Sequence, residues 1–110
     1  MRIYVTDEFD FNMVKSLVTN NGSLNVEFSE ITQDEFVSEY NNHVDDIVSS
    51  ITAQTSTAIN TKLNLTIVPN KKTIRLNADD TLYIVGCSKT LGTNRKYLTT
   101  ISFYKVMINV

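Results

Sequence analysis

Histidine and cysteine occur once each, as His43 and Cys87. A lone cysteine excludes an intrachain disulfide and fits a reducing interior. One histidine and one cysteine far apart in sequence form no zinc-ligand pattern. Cys87 lies in an apolar run, which predicts a buried, inert thiol. Glycine (3) and proline (1) are scarce, so linkers and low-complexity segments are not expected. The glycine pattern of a phosphate loop and the serine nucleophile elbow are both missing. No apolar run approaches about 18 residues, which predicts no membrane span. The opening Met-Arg-Ile-Tyr-Val turns polar too soon for a signal peptide.

The 110 residues are 42% hydrophobic and 20% charged, which predicts one domain with a real core. The net charge of −2 is unevenly spread. Residues 1–60 carry Arg2 and Lys15 against ten acids, a balance of −8. Residues 61–110 carry eight bases against Asp79 and Asp80, a balance of +6. An acidic chain is a poor general binder of long nucleic acid. Two readings of the asymmetry stay open: the halves neutralise one another, or a local basic surface holds a few phosphates.

Local pattern predicts a strand at 2–6, with Ile3 and Val5 on one face and Tyr4 on the other. Asp10 is the expected N-cap of a helix over about 11–19, with Phe11, Val14, Leu17 and Val18 as its stripe and Gly22 at its end. A strand follows at 24–31. A capping box, Thr32 to Glu35, opens a helix over about 33–41. Val44, Ile47, Val48 and Ile51 have helical spacing, which predicts a helix over 44–51. A further helical segment is expected to start within 53–58. Strands are expected at 65–68, 73–76, 81–88 and 98–108. The mixture predicts an α+β (mixed α/β) fold of about five strands with helices packed on the sheet.

Three groups of residues could carry chemistry. Asp7, Asp10 and Asn12 follow the first strand, where open α/β sheets place ligands; helix capping by Asp10 is the commoner role. Thr55, Ser56 and Thr57 stand near a helix N-terminus, where amides, hydroxyls and the helix dipole favour an anion; an ordinary cap is again the commoner role. Lys71, Lys72, Lys89, Arg95 and Lys96 form a basic set that, together with the 53–58 stretch, suits a phosphate-bearing ligand; a solvated surface position is the commoner role for each alone. Asp45-Asp46 and Asp79-Asp80 are expected at solvated turns or helix ends.

Four stretches then take on a common meaning. Tyr4-Val5-Thr6-Asp7-Glu8-Phe9-Asp10-Phe11-Asn12-Met13 is similar to an opening strand followed by an Asn-x-Phe-Ser-x-Asn-Met helix start. Ala53-Gln54-Thr55-Ser56-Thr57-Ala58 is similar to a Gly-His-x-Ser-Thr-Ala segment. Val68-Pro69-Asn70-Lys71, with Ile74, and the closing Ile101-Ser102-Phe103-Tyr104-Lys105-Val106 match two further segments in order and spacing. Together they resemble the small viral ring nucleases, the type III anti-CRISPR family that binds and degrades cyclic tetra-adenylate.

The resemblance implies a homodimer in the host cytoplasm, with one cyclic oligonucleotide held across the two-fold axis. It implies no metal and no cofactor. Its ligand-binding positions correspond to Asp7, Asp10, Asn12, Gln54, Thr55, Ser56, Thr57, Lys89 and Arg95. Asn12 is kept, whereas the family's histidine corresponds to Gln54, its serine to Asp10 and its preceding asparagine to Asp7. The family arginine falls near Lys89-Thr90, with Arg95 or Lys96 as possible replacements. Glutamine cannot serve as a general acid near neutral pH, and losing such a group slows a reaction by roughly 10²–10⁴-fold. The expected function is therefore counter-defence by sequestering a cyclic messenger. An active metal-independent ring nuclease and an interaction protein without a nucleotide ligand are the alternatives.

Overall fold

The computed structural model describes residues 2–91 and 97–109, with the backbone alone for 89–91 and 97–99. Its elements in chain order are β1 (Ile3–Thr6), a 3-10 turn (Phe11–Met13), α1 (Lys15–Asn21), β2 (Asn25–Ile31), α2 (Gln33–Asn42), β3 (Ile47–Ser50), α3 (Ala53–Leu63), β4 (Thr81–Leu91) and β5 (Tyr97–Asn109). The five strands form one mixed sheet in the order β2-β5-β4-β1-β3. β1 runs parallel to β3 and β4, and β5 runs antiparallel to β4 and β2. This is the α+β fold expected from the pattern.

All four residues of β1 are buried, as a parallel strand covered on both faces requires. Ile3 and Val5 enter one core with Phe36 and Tyr40 of α2, Ile59 of α3, Tyr83, Val85 and Phe103. Tyr4 enters a second core on the opposite face with Met13, Val14, Ile74, Leu76, Leu82 and Val106. Phe36 anchors the first core: it stacks on Phe103 at 4.7 Å and meets Tyr83 edge-on at 6.1 Å. Burial pushes the Tyr83 phenol up, and the charge and hydrogen bond of Glu39 add to it, giving about 12.

The capping box forms as expected: Glu35 N–H donates to Thr32 Oγ1 at 3.1 Å, and Thr32 N–H donates to Glu35 Oε1 at 3.3 Å. Gly22 ends α1 with φ 77°, a conformation glycine adopts without strain. The helix expected over 11–19 is instead a 3-10 turn followed by α1, and Phe11 of its expected stripe is 59% exposed.

Other expectations are corrected by tertiary pairing. Residues 44–51 are not a helix: 43–46 form a turn, and Ile47–Ser50 pair with β1. The β-branched Ile47 and Val48 serve opposite faces there, one packing on each core. Residues 65–68 and 73–76 are not strands, although Leu65, Ile67, Ile74 and Leu76 are buried as their alternation implies. The segment leaves the first core after Ile67 and reaches the second at Ile74, passing the β3 edge through a single bridge, Ile51 to Asn70.

Side chains replace a ladder along this segment. Ile67 N–H donates to Asn60 Oδ1 at 2.9 Å, and Ile67 O accepts from Asn60 Nδ2 at 2.9 Å and Ser56 Oγ at 2.6 Å. Asp80, expected in a solvated turn, is buried; it accepts from Arg2 N–H at 2.9 Å and Asn77 N–H at 2.8 Å. Cys87, expected inside, is exposed. It lies two residues beyond Val85, the last fully buried residue of β4 among the described residues, on the part of the strand that no longer pairs with β1.

Candidate functional site

β1 and β3 are parallel and in register, so their carboxyl-terminal residues Thr6 and Ser50 stand side by side. A cleft of about 300 Å³ opens there. Thr6, Glu8, Asp10 and Asn12 line it from the end of β1 through the 3-10 turn, and Ser50, Lys71, Lys72 and Thr73 line it from the end of β3 and the segment crossing its edge. Met13 and Ile74, both buried in the second core, also contribute to its lining.

The strand-end hydroxyls hold both walls. Thr6 Oγ1 donates to Glu8 O at 3.1 Å and lies 3.3 Å from Glu8 N. Ser50 Oγ donates to Lys72 O at 2.7 Å and accepts from Lys72 N–H at 2.9 Å. Asp10 Oδ1 accepts from Asn12 N–H at 2.7 Å, so Asp10 caps the 3-10 turn while lining the cleft.

Asp7 ties three segments together beside this cleft. Its Oδ2 accepts from Thr52 N–H at 2.9 Å and from Thr52 Oγ1 at 2.8 Å. Its Oδ1 accepts from Lys71 Nζ at 2.7 Å. Burial pushes the carboxyl up, but the Lys71 and Thr52 hydrogen bonds and the Lys71 charge outweigh it and hold Asp7 at about 2. The Asp7 hydrogen bond raises the Lys71 ammonium in turn, against burial, and Glu8 at 3.7 Å adds to the rise. Lys71 is thus engaged by two carboxylates. Lys72 makes no ion pair among the described residues.

The stretch 53–58 forms the first turns of α3, and the cap is one residue earlier, at Thr52. Thr55 and Ser56 are buried. Thr55 N–H donates to Thr52 Oγ1 at 3.4 Å, and the Ser56 hydroxyl is spent on Ile67 O. Gln54 and Thr57 are exposed. None of these four lines the cleft that Asp10 and Asn12 line. Lys89 lies on β4 opposite Thr99, with only its backbone described, and Arg95 and Lys96 lie outside the described residues. His43 follows α2, with Nε2 3.7 Å from Glu39 Oε2, and does not line the cleft.

Thr52, Ser50, Thr6 and Thr73 are the residues that sequence reasoning passed over. Thr52 had a readable signal, a threonine three residues before Thr55 at a helix start. The helix expected through Ile51 concealed it. Among the described residues no group of three or more His, Cys, Asp or Glu could hold a metal ion, and no helix is long and apolar enough to cross a membrane.

No protein-family model and no curated protein sequence matches the chain. Among solved structures, the chain is similar to B116 of Sulfolobus turreted icosahedral virus. The TM-score is 0.74 at 19% identity, covering 97% of this chain and 99% of that one. At that identity the likeness is one of fold. It extends over nearly the full length of both chains.

Proposed function

We propose that this chain is a viral counter-defence protein that binds a cyclic oligonucleotide messenger, cyclic tetra-adenylate being the first candidate, and sequesters it in the host cytoplasm. The observation that carries the reading is the cleft at the carboxyl ends of β1 and β3. Lys72, without a carboxylate partner among the described residues, lines it together with Asn12 and Thr73. The full-length fold likeness to a protein of an archaeal host's virus, and the four sequence stretches, support it further.

The acids in the cleft sharpen the ligand class. Glu8 and Asp10 face the same space as Lys71 and Lys72, so a compact polyanion such as a triphosphate meets repulsion there. A cyclic oligonucleotide spreads single phosphodiester charges around a ring and leaves hydroxyls and base amino groups to donate to carboxylates. Asp7, whose charge Lys71 balances, adds little repulsion. Two copies related by a two-fold axis present two equivalent clefts to a symmetric ring.

Holding is favoured over cutting because the resemblance puts Gln54 where the family has its histidine. Gln54 is exposed at the start of α3 and brings no group that titrates near neutral pH. The test is mass spectrometry of the fraction retained after incubating the purified protein with a mixed pool of cyclic messengers. Intact cyclic tetra-adenylate, or another intact ring, retained at micromolar affinity is the expected result, and Lys72→Ala weakens it at least about tenfold. A linear product carrying a 2′,3′-cyclic phosphate supports the nuclease instead. Retention of nothing overturns the reading.

A further inference from the structure

Phe11 is the most exposed aromatic residue in the first half of the chain, at 59%; it does not line the cleft itself, but its two neighbours in sequence, Asp10 and Asn12, both do. Burial does not account for it. Phe9, two residues earlier, packs edge-on against Phe28 at 5.2 Å, and Met13, two residues later, is in the second core. The hydrophobic stripe expected to bury Phe11 is broken by the 3-10 turn.

The turn that presents Phe11 is held on several sides. Asn12 N–H donates to Asp10 Oδ1 at 2.7 Å, Met13 N–H to Asp10 O at 3.0 Å and Val14 N–H to Phe11 O at 3.0 Å. Leu76 N–H donates to Met13 O at 2.8 Å, tying the turn to the segment after Ile74. An aromatic ring on such a turn loses little conformational freedom when it stacks, and every nucleobase offers a flat face.

We infer that Phe11 is a base-stacking residue at the rim of the cleft, so that the site takes a nucleobase-bearing phosphate with the base on Phe11 and the phosphate at Lys72. This rests on the nucleotide reading above and adds which part of the ligand each wall recognises. The Asp10 carboxylate, with only Oδ1 used by the cap, leaves Oδ2 to accept from a base amino group or a ribose hydroxyl.

The test compares adenosine 5′-monophosphate with ribose 5-phosphate, titrated by NMR into wild type, Phe11→Ala, Phe11→Trp and Lys72→Ala. The wild type is expected to prefer the nucleotide roughly tenfold, the scale of one base–aromatic stack. Phe11→Ala brings that ratio close to one, Phe11→Trp keeps it, and Lys72→Ala weakens both ligands and leaves the ratio. An unchanged ratio in Phe11→Ala overturns the inference, as does a wild type that binds both ligands equally or neither. Light scattering on Phe11→Ala separates the remaining case: a changed mass places the ring in a protein contact and also overturns it. A nucleotide preference that depends on Phe11, with no cyclic messenger retained, upholds this inference and removes sequestration. Retention of a cyclic messenger that Phe11→Ala leaves intact does the reverse.

Discussion

Burial alone would raise the Asp7 carboxyl, yet Lys71 and Thr52 occupy both of its oxygens and lower it from 3.8 to about 2. The folded chain therefore holds this proton less tightly than the unfolded chain. The resulting stability is complete above about pH 5 and is lost as pH falls through 4 toward 2. Asp7→Asn keeps the shape and removes the charge. It is expected to cost about 1 kcal/mol at pH 7, with the gap to wild type narrowing as pH approaches 2. Urea midpoints of both proteins at pH 7, 4 and 2.5 check this; a constant gap contradicts it. The cap at Asp10 was legible because its partner is two residues away. The role of Asp7 was not, because its partners lie 45 and 64 residues away. The same separation hid the answer to an electrostatic difficulty. A bare carboxylate beside a phosphate site repels the ligand, and Lys71 balances that charge at Asp7.

At the level of elements, hydrophobic alternation located burial better than it located pairing. Leu65 and Ile67, and then Ile74 and Leu76, are inside as their spacing implies, but no strand lies beside them. Asn60 and Ser56 bond the backbone at Ile67, and Ser50 bonds it at Lys72. Polar side chains that satisfy a backbone at this distance leave no periodic trace in a sequence. The helix expected over 44–51 failed for a related reason. Of the four apolar residues at helical spacing, only Ile47 and Val48 lie in the strand, where they serve the two cores, and pairing with Ile3–Thr6 decided the outcome. Removing the side-chain bonds tests their weight. Asn60→Ala is expected to destabilise by about 2 kcal/mol, because it strands the Ile67 N–H and removes a donor to Ile67 O. Thr57→Ala, exposed on the same helix, stays within about 0.5 kcal/mol. Chemical denaturation of the two variants distinguishes the roles, and equal costs refute the assignment.

Across the whole molecule, the fold class was legible from the mixture of periods, whereas the strand order was not. β1 sits between β3 and β4, strands more than 40 residues later, and nothing local in Ile3–Thr6 announces that. The acidic first part and basic second part of the chain meet where Lys71 reaches Asp7 and Glu8, at the edge of the cleft. Of the two readings the sequence left open, charge pairing between the halves is met at Lys71, while Lys72 lines the cleft with no ion pair among the described residues. The molecule extends 52 × 29 × 23 Å with a radius of gyration of 15.0 Å, above the roughly 13 Å of a compact chain this long. Beyond Ile84, β4 pairs with β5 alone as a two-stranded ribbon.

The side chains that hold residue 67 also impose an order of assembly. Ser56 and Asn60 stand one turn apart on α3, and they converge on Ile67 only after that helix has formed. The segment crossing the β3 edge has no ladder of its own to template it, and the expected order is that it docks after the folding barrier has been passed. Asn60→Ala should then speed unfolding roughly tenfold or more and leave the refolding rate within about twofold of wild type. Stopped-flow kinetics in urea read both limbs, and a slowed refolding limb would place this crossing in the folding nucleus instead.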